Sequence, residues 1–87
     1  MELSDIVLSL RGHDAGTVLF VIAVEEPYVL LADGKRRRVE APKRKKEKHV
    51  KLLARSDCRV ARKIRAQERV TNNELRRALT EFKEREE

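Results

Sequence analysis

A dense run of cations lies near the middle of this 87-residue chain. Between residues 35 and 48, nine of fourteen side chains are Lys or Arg, and only Glu40 and Glu47 oppose them. Ammonium and guanidinium groups neutralise phosphates and release the counterions that a polyanion condenses. The pattern therefore favours binding of a phosphate chain, and the competing interpretation is a charged surface that is only solvated.

The charge of the whole chain is unevenly spread. Residues 1–34 carry a net charge of −5, residues 35–55 carry +9 and residues 56–87 carry +2. A segment with such an excess repels itself unless anions oppose it. Aromatic residues make up only 3% of the chain, so stacking of bases on protein rings is not expected as a major mode. Structured RNA, recognised by its shape and backbone, is the predicted partner.

Other chemistries find no support in the sequence. No Ser or Cys nucleophile has a matching base and no glycine-rich phosphate loop is present, so a non-enzymatic protein is predicted. His13, His49 and Cys58 lack the spacing of zinc ligands, and neither a metal nor a cofactor is expected. The apolar run at residues 18–24 is too short to cross a bilayer. The single cysteine, Cys58, cannot form an internal disulfide, which favours a reducing compartment. These features predict a cytoplasmic protein with no membrane partner.

The first three predicted strands carry strong apolar patterns. Residues 5–10 alternate, as expected of a half-buried strand. Residues 17–24 are densely β-branched and suit a central strand, and residues 28–32 form the third. Arg11-Gly12-His13-Asp14-Ala15-Gly16 connects the first two, because two glycines four positions apart around an Asp favour a sharp turn.

The basic run is predicted to divide into three parts. Asp33-Gly34 suits a two-residue hairpin turn. Residues 35–40 are expected to form a fourth strand, with Val39 toward the core and with Arg36 and Arg38 as fixed contacts in solvent. Pro42 ends that strand, residues 43–48 form an adaptable loop, and residues 49–53 form a short fifth strand.

The last third of the chain changes to a helical period. Residues 56–68 predict a first helix, with Ser56 or Asp57 as its cap. Thr71 and Glu74 match a capping box at the start of a second helix, whose apolar residues recur every three or four positions from Leu75 to Phe82. The predicted fold class is therefore mainly β with an α tail, a small closed barrel followed by a C-terminal helical hairpin.

The first half of the chain resembles a KOW domain. The resemblance covers about residues 3–53 and rests on Ile6, Leu8 and Leu10, then Gly12-His13-Asp14-Ala15-Gly16, then the apolar run at 18–24. The longer pattern of Tyr28-Val29-Leu30-Leu31-Ala32-Asp33-Gly34, Arg37-Arg38-Val39, Pro42-Lys43 and Lys48-His49-Val50 is similar to short bacterial KOW-domain RNA-binding proteins, which are similar to large-subunit ribosomal proteins of the fourteen-e type.

The resemblance implies an SH3-like barrel over residues 1–54, a helical extension over 55–87, and binding to RNA or the ribosome. It also implies that the loop between the first two strands touches RNA or protein. The predicted partner is ribosomal RNA, with ribosomal or transcription proteins as further partners. The RNA-binding residues expected from the basic run and this loop are Arg11, His13, Lys35, Arg36, Arg38, Lys43, Arg44, Lys45, Lys46, Lys48 and His49.

One alternative stays open at this point. The domain could instead be a protein-interaction module in a transcription or translation complex, with the basic run as a solubilising feature. Cations on the two helices, among them Arg62 and Arg65, are a further hypothetical extension of the RNA face. The sequence favours RNA binding because few acids oppose the run and predicted structure flanks it on both sides.

Overall fold

The computed structural model describes residues 1–86, so residue 87 of the predicted helical extension lies outside it. Five strands form one antiparallel sheet in the order β4-β3-β2-β1-β5. They are β1 (Asp5–Ser9), β2 (Val18–Glu25), β3 (Tyr28–Ala32), β4 (Lys43–Lys46) and β5 (Val50–Arg55), with a 3₁₀ turn at Glu47–His49 before β5. Two helices follow, α1 (Arg59–Arg65) and α2 (Asn72–Glu86).

One face of the sheet packs against the helices. Ile6 lies opposite Phe20, and Phe20 lies opposite Ala32, so the three side chains form a row across β1, β2 and β3. Cross-strand partners share a face of the sheet. This row is buried in one cluster with Ile64, Leu75 and Leu79 of the helices and with Val70 of the connection between them. The helices therefore complete a core that the sheet alone would leave open to water.

The other face of the sheet packs on itself. Val7, Leu19, Val21, Val29, Leu31 and Val50 form a second buried cluster. Val50 belongs to β5 and Val29 to β3, which are not neighbours in the sheet, so the sheet must curve to bring them together. Register shifts in β1 and β2 are the irregularities that permit such bending. Burial on both faces explains why β2 is a continuous apolar run rather than an alternating one.

The predicted barrel closure is not observed. In the described part of the chain, β4 and β5 lie at opposite ends of the strand order and are not hydrogen-bonded to each other. The five-stranded antiparallel sheet and the two C-terminal helices agree with the predicted fold class. The sheet is curved but is not a closed barrel.

The capping box predicted for α2 is present. Glu74 N–H donates to Thr71 Oγ1 over 3.1 Å, and Thr71 N–H donates to Glu74 Oε1 over 3.0 Å. Val70 and Leu75, on either side of the cap, are buried in the same cluster, as in a hydrophobic staple. By contrast, α1 is shorter than predicted and begins after Cys58 rather than after a Ser or Asp cap.

The predicted strand over residues 35–40 is wrong. Those residues form a turn within a long connection, residues 33–42, between β3 and β4, so the predicted two-residue hairpin is also wrong. The Asp33 carboxylate accepts hydrogen bonds from the Lys35 and Arg37 N–H groups, both over 2.9 Å. This local turn uses the backbone groups that a strand would need. Val39 nevertheless packs against the helix-side core, as expected.

The fourth strand lies at residues predicted to be an adaptable loop. Lys43 pairs with Leu31, and Lys45 pairs with Val29. Pro42 therefore precedes the strand instead of ending one. Arg36 and Arg38 were therefore predicted on a strand but lie in a connection. Residues 43–48 were predicted to be an adaptable loop but contain β4 and the 3₁₀ turn. The predicted fifth strand is present, shifted to Val50–Arg55.

Glu74→Gln should remove a pH dependence from the stability of the fold. The hydrogen bond from Lys63, 2.8 Å long, and the bond from the Thr71 N–H lower the pKa of Glu74 to about 2. A lowered carboxyl pKa stabilises the folded state above the usual value of 4.5, and this contribution is lost as the pH falls toward 2. Glutamine keeps the cap acceptor but not the charge.

The measurement is the free energy of urea unfolding of both proteins across the acid range. The difference between wild type and Glu74→Gln should shrink steadily on acidification. Glu81→Gln, which changes an exposed carboxylate of the same helix, is the matched control. A difference that stays constant over the acid range would contradict the role given to the Lys63–Glu74 pair.

Candidate nucleic-acid interface

The interface is organised around a buried ion pair between Lys45 and Asp14. Lys45 Nζ lies 2.6 Å from Asp14 Oδ1, and the two side chains are only 7% and 6% exposed. Lys45 also donates to Ser9 Oγ over 2.8 Å and to the Arg11 carbonyl. All three ammonium protons thus have acceptors, which offsets the cost of removing this charge from water.

The position of Lys45 follows from the register of the sheet. Because Lys45 lies opposite Val29, its side chain points to the self-packed face, whereas its neighbours Arg44 and Lys46 point away and are exposed. Asp14 comes from the β1–β2 loop and Ser9 from the end of β1. The ion pair therefore fixes the β1–β2 loop against β4, two segments 31 residues apart in the chain.

The electrostatics of Asp14 reflect two opposing effects. Burial raises the pKa of Asp14, but hydrogen bonds from Lys45 and Ser9 lower it by more than burial raises it, so the pKa of Asp14 lies below its usual value. The carboxylate therefore stays ionised and neutralises Lys45. Its second oxygen, Oδ2, is buried and has no hydrogen-bond partner in the described part of the chain.

A concave surface of about 450 Å³ lies beside this pair. We call it the basic concavity. It is lined by Arg11, Gly12, His13, Asp14, Arg37, Lys43, Arg44, Lys45, Lys46, Lys48 and His49. These residues come from the β1–β2 loop, the 33–42 connection, β4 and the 3₁₀ turn. Its only carboxylate, Asp14, is already paired with Lys45, so the remaining cations face no acid within the lining.

Most of the predicted RNA-binding residues meet at this surface. Those that line it are Arg11, His13, Lys43, Arg44, Lys45, Lys46, Lys48 and His49. Lys45 is buried and paired with Asp14, so it has a structural role and is not free to contact phosphate. Lys35, Arg36 and Arg38 lie outside the lining. Arg37, which sequence reasoning placed on the opposite side of a strand, lines the concavity instead.

Arg44 makes two contacts within the protein, with Tyr28 and with Glu25. Its guanidinium carbon lies 3.7 Å from the centroid of the Tyr28 ring, and its Nε lies 3.5 Å from Glu25 Oε1. A guanidinium over a ring is held by the ring quadrupole and by packing. Arg44 remains largely exposed, so it can meet a phosphate in a fixed orientation.

The positive charge of the basic concavity affects the pKa of His49. Partial burial lowers the pKa of His49, and the nearby charges of Arg11 and Lys48 lower it further. The imidazole is therefore neutral at physiological pH in the free protein. An anion placed among these cations would reverse the effect and favour the protonated ring.

Sequence reasoning missed the Asp14–Lys45 pair and the role of Arg37. Lys43 and Lys45 lie two positions apart on the same face of β4 and have similar sequence neighbours, so no local pattern singles out the one that becomes buried. The only usable signal was Asp14 itself, an acid within a loop of two glycines, which implied a cation to pair with it. Alternation in the strand predicted over residues 35–40 would place Arg37 on the same face as Val39, toward the core, but these residues do not form a strand.

Other features of the described residues offer little chemistry. A larger concavity of about 650 Å³ between the sheet and the α1–α2 connection has mainly apolar walls, including Ile22 and Val39. No group of three or more His, Cys, Asp and Glu side chains in residues 1–85 is placed to hold a metal ion. Within the same residues, no helix has the length and apolar character needed to cross a membrane.

Lys45→Met should destabilise the fold by about 3–5 kcal/mol, because it leaves the Asp14 carboxylate buried without its cation. Asp14→Asn should have a similar effect by leaving Lys45 unpaired. The double variant Asp14→Leu with Lys45→Met should lose less stability than either single variant, since no buried charge remains. Free energies of urea unfolding measure all three.

Lys46→Met is the matched control, because Lys46 is the exposed neighbour on the same strand. It should change stability by no more than about 0.5 kcal/mol. Equal losses for Lys45→Met and Lys46→Met would show that the buried pair does not hold the two segments together.

Comparison with known proteins does not assign this chain to a family. No protein-family model matches the sequence, and no curated protein matches it.

Proposed function

We propose that this chain is a non-enzymatic RNA-binding protein that holds RNA phosphates in the basic concavity. The observation that carries the proposal is the convergence of cations from four separate segments on one concave surface. Six of them have no carboxylate partner within that lining: Arg11, Arg37, Lys43, Arg44, Lys46 and Lys48. Such groups bind a polyanion by neutralising phosphates and releasing counterions.

The scarcity of exposed rings favours structured RNA over single strands. Phe20 is fully buried, Phe82 is half-buried against the core, and the Tyr28 ring lies beneath Arg44. Proteins that bind single strands without sequence preference use aromatic platforms for the bases. A surface of fixed cations without such platforms suits a partner whose phosphates are already arranged by its own fold.

We also propose that the curved sheet is an SH3-like barrel of the KOW type and that its partner is ribosomal RNA. The resemblance to KOW domains implies an SH3-like barrel. The sheet is not closed, but its strand order β4-β3-β2-β1-β5 and the shared burial of β3 and β5 side chains support a partly open form of that barrel. The β1–β2 loop, which such a domain uses for contacts, lines the basic concavity. Ribosomal RNA in the cytoplasm is the partner that this resemblance favours.

A protein-interaction module is the second candidate function, and one observation favours it. The exposed large hydrophobic side chains of the described chain are Leu10, Leu52 and Leu53. Leu52 and Leu53 lie on β5, which is an edge strand of the sheet. An apolar edge of this kind can receive a strand from another protein. Leu52→Ser with Leu53→Ser should abolish that interaction and leave RNA affinity unchanged.

RNA affinity should fall steeply with salt if the basic concavity is the site. Six phosphate contacts predict a slope of about −4 to −5 for the logarithm of the association constant against the logarithm of salt concentration. Replacing Lys43, Lys46 and Lys48 by Gln should make the slope shallower by about 2 to 3. Fluorescence anisotropy with a labelled RNA hairpin across a salt series measures both values.

The control replaces Arg59, Lys83 and Arg85 by Gln, which removes the same charge from exposed helix positions outside the concavity. Its slope should stay close to that of the wild type. Binding that does not respond to salt, or equal effects of the two triple variants, would overturn the assignment of the site.

RNA affinity should also rise as the pH falls below neutrality, because phosphates near His49 should raise its lowered pKa. A group whose pKa is higher in the complex takes up a proton on binding, so acid favours the complex. An NMR titration of His49 in free and bound protein measures the shift directly. His49→Gln should remove most of this pH dependence, whereas His13→Gln, at the exposed loop tip, should remove less.

A further inference from the structure

The connection between β3 and β4 forms a second cationic surface where it meets α2. Lys35, Arg36 and Arg38 on the connection are exposed, and so is Arg76 in the second turn of the helix. Arg76 donates to the Gly34 carbonyl over 3.1 Å, which places its guanidinium beside the connection. We call these four residues the loop–helix surface. None of them lines the basic concavity.

The helix holds this surface in place. Asn72 is buried, and its side chain accepts a hydrogen bond from the Val39 N–H over 2.7 Å and donates to both Glu40 carboxylate oxygens. Gly34 lies so close to α2 that an added Cβ would overlap the Asn72 carbonyl oxygen. Its φ of +80° is also unfavourable for any side chain. The connection is therefore a docked segment and not a free loop.

The charge of the loop–helix surface is only partly offset. Arg38 lies 3.5 Å from Glu40, and Glu40 also accepts from Asn72. Among the side chains of residues 1–85, no carboxylate forms an ion pair with Lys35, Arg36 or Arg76. The surface thus keeps an excess of positive charge that the basic concavity does not account for.

Arg37 joins the two surfaces. Its side chain lines the basic concavity, while its neighbours Arg36 and Arg38 belong to the loop–helix surface. The 33–42 connection is therefore the border between two cationic surfaces, and it contributes to both. Because β4 is anchored through Lys45 and the connection is anchored through Asn72, the placement of one surface relative to the other is fixed.

We propose that the two surfaces bind one folded RNA together, with the phosphates of one strand of a duplex stem in the basic concavity and those of the other strand on the loop–helix surface. This inference rests on the proposed RNA binding and adds the shape of the partner. A fixed pair of surfaces loses little freedom on binding a partner whose two strands are themselves held apart. A single strand can use the basic concavity alone.

The test compares two defined probes, an RNA hairpin with a duplex stem and a single-stranded oligouridylate of the same number of nucleotides. Lys35→Glu with Arg36→Glu should weaken hairpin binding by about tenfold and oligouridylate binding by less than about threefold. Lys83→Glu with Arg85→Glu makes the same change in net charge at the far end of α2, and it should affect both probes slightly and equally. Fluorescence anisotropy at one fixed salt concentration measures each affinity.

Gly34→Ala tests the geometry without changing any charge. The added methyl group should push the connection away from Asn72, which would weaken hairpin binding more than oligouridylate binding, because Arg37 is the one residue of the connection that lines the basic concavity. Circular dichroism and thermal unfolding establish whether this variant folds. If it does not fold, the Lys35 and Arg36 variant, whose substitutions are both at exposed positions, decides the question.

The outcomes separate this inference from the proposed function. If the Lys35 and Arg36 variant weakens both probes equally, or neither, the two-strand arrangement is wrong while RNA binding by the concavity stands. If replacement of Lys43, Lys46 and Lys48 leaves both probes bound as tightly as before, the proposed site itself fails. Selective loss of hairpin binding in the Lys35 and Arg36 variant supports the arrangement.

Discussion

The buried pair of Lys45 and Asp14 is the interaction on which the arrangement of this protein depends. Each charge loses several kcal/mol of hydration on burial, and only close contact with a partner and further hydrogen bonds recover it. Those bonds come from the end of β1 and the β1–β2 loop. Forming the pair therefore requires that β4 and this loop lie side by side. Because Lys45 is buried, β4 is held in place, and the neighbouring side chains of Arg44 and Lys46 point outward into solvent.

Contacts with polar groups also hold the first part of the basic run, in the 33–42 connection. Asp33 and Asn72 bind the backbone of the 33–42 connection, so a segment rich in Arg is held by neutral and acidic groups at its ends. Repulsion among the cations is tolerated because each anchored stretch is short and lies against folded structure. The protein thus concentrates positive charge at two surfaces, and the one carboxylate that lines the basic concavity, Asp14, is already paired with Lys45.

The parts of the fold that could be predicted are those with local causes. The capping box of α2 depends on Thr71 and Glu74, which are three residues apart. The apolar runs of β1, β2 and β3 report burial directly. By contrast, Lys43–Lys46 has no apolar pattern, and its strand pairing depends on Val29, Leu31 and a loop carboxylate 31 residues away. The 35–40 segment was mistaken for a strand because alternation cannot reveal that Asp33 and a distant helix bind its backbone.

The position of β1 between β2 and β5 also governs the order in which the fold can form. β1 pairs with β2, its neighbour in sequence, and with β5, whose Arg55 lies opposite Asp5 after fifty residues of chain. Contacts of such long range close late, because the intervening chain must first give up its freedom. While the chain is being synthesised, the hairpin of β1 and β2 can form early. The sheet cannot be completed until β5 has emerged, and its helix-side core stays open to water until Leu79 of α2 has followed.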